Sequence, residues 1–148
     1  MHKTFILCAV SAFAMTPVFA SDKTDVIGIV HKWGSTGSNA AVDNCADDAA
    51  IMDAIPPYEW HGSGACTKWL NDFEAFTKQN GITDAHAVVG KARYIEVTAD
   101  RAYVVAPITY FYKMSGKEVK ELATWSFALQ KGASGWRITG WAYSPQHQ

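Results

Sequence analysis

The chain is 148 residues long and carries 13 Lys and Arg against 14 Asp and Glu, a formal net charge of −1. That length suits one domain with one core, and an even charge balance with no basic patch among the aromatics argues against nucleic acid as a partner. Six Trp and six Tyr in so small a chain call for a lined cavity or an interface as well as a core.

The first twenty residues read as a secretory signal peptide. A weakly basic start at His2 and Lys3 precedes an apolar run from Phe5 to Met15, and Val18-Phe19-Ala20 forms a small-residue cleavage pattern before Ser21. The apolar run is too short to span a bilayer. Cys8 lies inside it rather than at the cleavage point of a lipoprotein. The expectation is an exported protein, periplasmic or secreted, cleaved after Ala20, with no membrane attachment afterwards. Residues 21–148 then form a single domain.

Asp22 is expected to cap a first helix, with Val26, Ile29, Val30 and Trp33 as its apolar stripe and Gly34 ending it. A second, shorter helix is expected over Asn39–Cys45, completing an αα-hairpin. Ala49–Asp53 follows as a short strand, and Pro56-Pro57 bars regular pairing just beyond it. Tyr58-Glu59-Trp60-His61-Gly62 reads as a loop. Ser63 is placed to cap a third helix whose apolar face is Cys66, Trp69, Leu70, Phe73 and Phe76, with Gly81 as its C′ residue.

From Thr83 the period changes to that of strands. His86–Val97, Arg101–Lys113, Lys117–Lys131 and Gly135–Ser144 are four of them, separated by polar turns. In the third, Val119, Ala123, Trp125, Phe127 and Leu129 share one parity, interrupted only by Glu121. The last strand is apolar on both parities, Trp136 and Ile138 on one and Trp141 and Tyr143 on the other, which implies something packed against each face. Helices first and an antiparallel meander after them make an α+β domain, with helices covering one face of a curved sheet.

Two cysteines remain after cleavage, Cys45 and Cys66. In an oxidising compartment they are either bridged or two separate buried thiols, and spacing alone does not decide. There is no Cys-x-x-Cys, and His31, His61, His86 and His147 show no ligand spacing, so neither a metal nor a cofactor is expected.

Two stretches carry a family resemblance. Cys45-Ala46-Asp47-Asp48-Ala49, running through Ile51-Met52-Asp53 to Gly64 and the Trp69–Phe76 helix, is similar to the NTF2-like superfamily, and within it to SnoaL-like and ketosteroid isomerase-like proteins. So is the ending Trp125-Ser126-Phe127-Ala128-Leu129 followed by Gly135-Trp136-Arg137-Ile138. The resemblance implies a cone of helices closed over a strongly bent sheet, a pocket at the open end, and often a homodimer formed through the outer sheet face. It also implies that Asp53 stands where the isomerases keep their general base. Their two oxyanion donors, a Tyr on the first helix and a protonated Asp on a strand, fall here on Ile29 or Val30 and on Trp125.

Asp53 is therefore the candidate base, with His61 in the neighbouring loop as a possible proton partner and simple solvation of that imidazole as the alternative. Trp60, Trp69, Tyr94, Tyr110, Tyr112, Trp125, Trp141 and Tyr143 are the candidate pocket lining, or else core and interface aromatics. The leading expectation is an exported domain that binds a small apolar molecule in an aromatic cone. The alternatives are an isomerase, cyclase or hydratase using Asp53, and a dimeric module without a ligand whose outer face carries Trp136 and Ile138.

Overall fold

The computed structural model describes residues 17–35 and 42–146. Its elements are α1 (Pro17–Ser35), β1 (Cys45–Met52), β2 (Glu59–Trp60), α2 (Ala65–Gln79), β3 (Ile82–Val89), β4 (Tyr94–Val97), β5 (Arg101–Met114), β6 (Lys117–Gly132) and β7 (Gly135–Pro145). The strands form one curved sheet in the order β2-β1-β7-β6-β5-β3, with β4 also paired to β5. All pairs are antiparallel except β1 with β7. The α+β expectation holds, with two helices on the concave face among the described residues.

β5 and β6 pair in unbroken register from Arg101↔Gln130 to Met114↔Lys117, so their alternation is read cleanly. Val104, Ala106 and Ile108 of β5 and Ala123, Trp125, Phe127 and Leu129 of β6 are buried on the concave side. α1 lays Val26, Val30 and Trp33 against them. Gly34 lets the last turn of that helix come close, because a Cβ there would stand 2.3 Å from Val89 Cγ2 and 3.2 Å from the Trp125 ring.

β7 departs from the expectation of two differently occupied faces. Ala128 pairs with Gly140 but Leu129 with Ile138, so Thr139 is an extra residue on β7, a β-bulge. The bulge reverses the parity midway. Trp136 and Ile138 before it, and Trp141 after it, are all buried in one core. An outer-face interface built on Trp136 and Ile138 is therefore ruled out.

Several boundaries also move. Asp22 does not cap α1, which runs through it from Pro17 across the expected cleavage point. Instead its buried carboxylate accepts hydrogen bonds from Lys131 Nζ (2.5 Å) and Trp136 Nε1 (3.1 Å), and these partners hold its pKa below the ordinary value. Of the second helix expected over Asn39–Cys45, residues 39–41 lie outside the described residues, Val42 is helical, Asp43 and Asn44 form a turn, and Cys45, its expected end, opens β1 instead. Glu59–Trp60 is not loop but a short strand paired to Ile51 and Met52. The expected His86–Val97 strand is two strands, with Gly90 N–H donating to the Pro107 carbonyl between them.

α2 is not capped by Ser63. Gly64, in the left-handed region at φ 72°, is the N-cap residue and makes no side-chain cap. Its own N–H is held by the carbonyl (2.8 Å) and Oδ1 (3.1 Å) of Asp47. Asp47 is free to reach it because residues 46–48 leave the β1–β7 ladder, whose register jumps between Cys45 and Ala50. Gly81, with φ 62°, does end the helix as expected.

Cys45 and Cys66 are bonded, with Cα atoms 6.5 Å apart and a sequence separation of 21. The bond ties the start of β1 to the first turn of α2. Replacing both by serine is expected to cost about 3 kcal/mol, the value for closing a loop of this length in the unfolded chain. Urea unfolding reads this as a lower midpoint, and an unchanged midpoint would show that the bond adds nothing to stability.

Candidate functional site

α2 and the three long strands enclose a cavity of about 450 Å³, within the range of small-molecule sites. The helix contributes Trp69, Leu70, Phe73 and Phe76, spaced to share one face. Trp69 stacks on Phe73 with centroids 5.3 Å apart and meets Trp141 edge-on at 4.8 Å. The sheet contributes Tyr110 and Tyr112 from β5, Glu121 and Trp125 from β6, and Trp141 and Tyr143 from β7. The β7 bulge is what puts Trp141 and Tyr143 on this wall.

Asp53 lies one residue past β1, in a turn closed by Asp53 N–H to the Tyr58 carbonyl (3.1 Å). That turn aims its carboxylate into the cavity. Oδ2 accepts from Trp69 Nε1 at 2.7 Å and Oδ1 from the Ala54 N–H at 2.6 Å. Burial raises its pKa, opposed in part by the Trp69 and backbone hydrogen bonds and reinforced by the charge of Glu121.

Glu121 is the residue that interrupts the apolar parity of β6. It faces the cavity, with Tyr143 Oη donating to Oε1 and Tyr112 Oη donating to Oε2 at 3.5 Å. Its signal was visible as the one acid on the apolar parity of β6. Tyr110 is its direct cross-strand partner, and burial pushes that phenol up to about 12. Tyr143 is also raised, first by burial and then by its bond to Glu121. All these phenols are therefore protonated donors at neutral pH.

The structure brings together Asp53, Trp69, Tyr110, Tyr112, Trp125, Trp141 and Tyr143 from the expected set. Three others fall elsewhere. Tyr94 is half exposed on the outer face, donating to Glu96 and tilted against Tyr103, because β4 turns Ile95 and Val97 inward instead. Trp60 is buried in the core, its Nε1 donating to Asp72 Oδ2 at 2.7 Å, away from the cavity. His61 is exposed in its loop and does not line the cavity.

Chemically, the site can hold a mostly apolar body against indole and phenyl rings. It can also present an acid of weakened acidity to it. A raised acid binds its proton more tightly in the folded state. Its stabilising contribution is then full below the ordinary Asp pKa and is lost as pH rises through the raised value. Asp53→Asn, which never ionises, is expected to gain stability relative to the unmodified protein as pH climbs from about 3 to about 8. Urea midpoints across that range measure it, and a pH-independent difference would contradict the placement of Asp53.

Among solved structures the chain resembles an NTF2-like superfamily protein from Salmonella enterica, at 12% identity and TM-score 0.72, covering 88% of this chain and 94% of that one. It also resembles a ketosteroid isomerase-like protein from Erwinia carotovora atroseptica, at 16% identity and TM-score 0.66, covering 90% and 100%. A third, an NTF2-like protein with a cystatin-like fold from Novosphingobium aromaticivorans, matches at 14% identity and TM-score 0.69, covering 86% and 83%. No family model matches the chain, and no curated protein does. At such identities the likeness is one of fold.

Proposed function

The chain has the NTF2-like fold, and from that cone we propose that the protein, exported and trimmed after Ala20, binds a small and largely apolar molecule. The observation that carries this reading is the cavity itself. It is about 450 Å³ in size and walled chiefly by Trp69, Phe73, Phe76, Trp125 and Trp141, with Asp53 and Glu121 as its acids. Filling it would remove apolar surface from water at roughly 25 cal/mol per Å². A ligand that binds only the folded state raises its melting temperature. Material from the periplasmic fraction, checked by intact mass to begin at Ser21, is expected to melt higher with at least one class among steroids, polyketides and fatty acids. No stabilisation by any of them would overturn the reading.

A second reading is favoured by one observation, the half-buried and weakened acid facing that cavity. Here Asp53 acts as general base on a carbon acid next to a carbonyl, as in an isomerase, cyclase or hydratase. Conversion of a β,γ-unsaturated ketone to its conjugated isomer, followed by absorbance, is then expected to fall by at least about 100-fold in Asp53→Asn while the fold is retained. Equal turnover in the variant would rule this mechanism out.

A further inference from the structure

Two carboxylates line the cavity, and among the described residues no lysine or arginine does. The hydrogen bonds those acids accept come from neutral donors. Asp53 takes the Trp69 indole and the Ala54 N–H, and Glu121 takes the hydroxyls of Tyr143 and Tyr112. Lys131, Lys113 and Arg101 are paired with Asp22, Asp84 and Asp100 instead. His86, at the edge of the lining, is exposed, stacks on Phe111 and sets Nδ1 3.2 Å from the Asp84 carbonyl.

Both acids are partly exposed, and so are Phe73, Tyr110, Tyr112 and Tyr143 on the same lining. A molecule in the cavity therefore meets carboxylates and ring faces together. Tyr110 stands directly across from Glu121 on the neighbouring strand, and its ring lies against that of Tyr112 with centroids 5.1 Å apart. Tyr110 and Tyr143 each lie in the field of both acids.

A carboxylate taken out of water needs a counter-charge, and neutral donors supply only part of it. An uncharged occupant would displace water from both acids without replacing it, and an anion would add repulsion. A cation is attracted by both acids and also by the negative faces of the aromatic rings. The rings decide which kind of cation. Hard metal ions ask for several oxygen ligands, and no three His, Cys, Asp or Glu among the described residues are grouped to hold one. An organic ammonium instead meets ring faces favourably.

We propose, building on the binding reading above, that the cavity selects a monovalent organic cation, an ammonium head carried on an apolar body. The head seats beside Glu121 against the rings of Tyr110 and Tyr112, and Asp53 adds its charge. The body lies along Phe73 and Trp69.

Three probes of one shape test this: benzyltrimethylammonium, its neutral isostere neopentylbenzene, and phenylmethanesulfonate as the anion. Affinities are read from quenching of tryptophan fluorescence. The ammonium is expected to bind at least about tenfold more tightly than the neutral isostere, with the sulfonate weakest. Glu121→Gln, which keeps an oxygen for the tyrosine hydroxyls, should bring the ammonium-to-isostere ratio toward one. Asp53→Asn, the second variant if the first fails to fold, should lower that ratio at least about threefold. Equal affinity for ammonium and isostere, or tightest binding of the sulfonate, would overturn the proposal and leave the binding reading standing. A preference for the ammonium that survives both variants unchanged would also overturn it. Binding of none of the three would overturn it as well, with the binding reading then decided by the melting screen of steroids, polyketides and fatty acids.

Discussion

One additional residue in β7 decides which way the aromatic end of the chain faces. A strand of strict period two would turn either Trp136 and Ile138 or Trp141 and Tyr143 out of the core. The bulge at Thr139 removes that choice, because the register slips by one between Leu129↔Ile138 and Ala128↔Gly140. The half of β7 beyond the bulge supplies Trp141 and Tyr143 to the cavity, and the half before it supplies Trp136 to the anchor of α1. Bulges bend the strand that carries them, and here the bend lies where the sheet curves around the two helices. The hollow and the burial of its indoles both follow from that slip.

The two ends of the cone are held by different physics. At the β6–β7 turn, Lys131 and Trp136 converge on the buried carboxylate of Asp22 and fix where α1 crosses the sheet. Removing one partner of such a pair leaves an uncompensated charge, so the contact specifies the position of the helix more than it adds net stability. At the other end, the Cys45–Cys66 bond and the Asp47 contact to Gly64 seat the start of α2 on β1. Between these ends the wall is aromatic, and its rings are locked by one another and by hydrogen bonds to Asp53 and Glu121. A cavity lined by side chains that already have neighbours is pre-formed, so a ligand need not order it.

Much of this was legible in the residues, and the failures have definite causes. β5 and β6 alternate cleanly because their pairing is unbroken, so Trp125, Tyr110 and Tyr112 were readable as one face. Glu121 was readable as an exception on that face, but not as a cavity acid, since its two tyrosine partners come from other strands. Tyr94 falls outside the cavity because odd-numbered residues face inward on both β3 and β4, Ala87 and Val89 opposite Tyr110 and Ile108, and Ile95 and Val97 opposite Val104 and Ala102, so the even-numbered Tyr94 points outward. Asp22 had the residue type and position of a helix cap, and only the long-range approach of Lys131 and Trp136, more than a hundred residues away, shows its actual role. The β7 bulge left a trace, apolar residues on both parities, which fits a two-faced strand equally well. The spacing of Cys45 and Cys66 was compatible with a bond without requiring one.

The claim on which the rest depends is that the cone is hollow between Trp69, Trp125 and Trp141, with Asp53 facing the space. Xenon enters apolar cavities of this kind, so a crystal structure determined under xenon pressure tests it most directly. The account predicts xenon against those three indoles, within the same enclosure as the Asp53 carboxylate. Indoles packed solidly across the space, with Asp53 turned out into solvent, would contradict it.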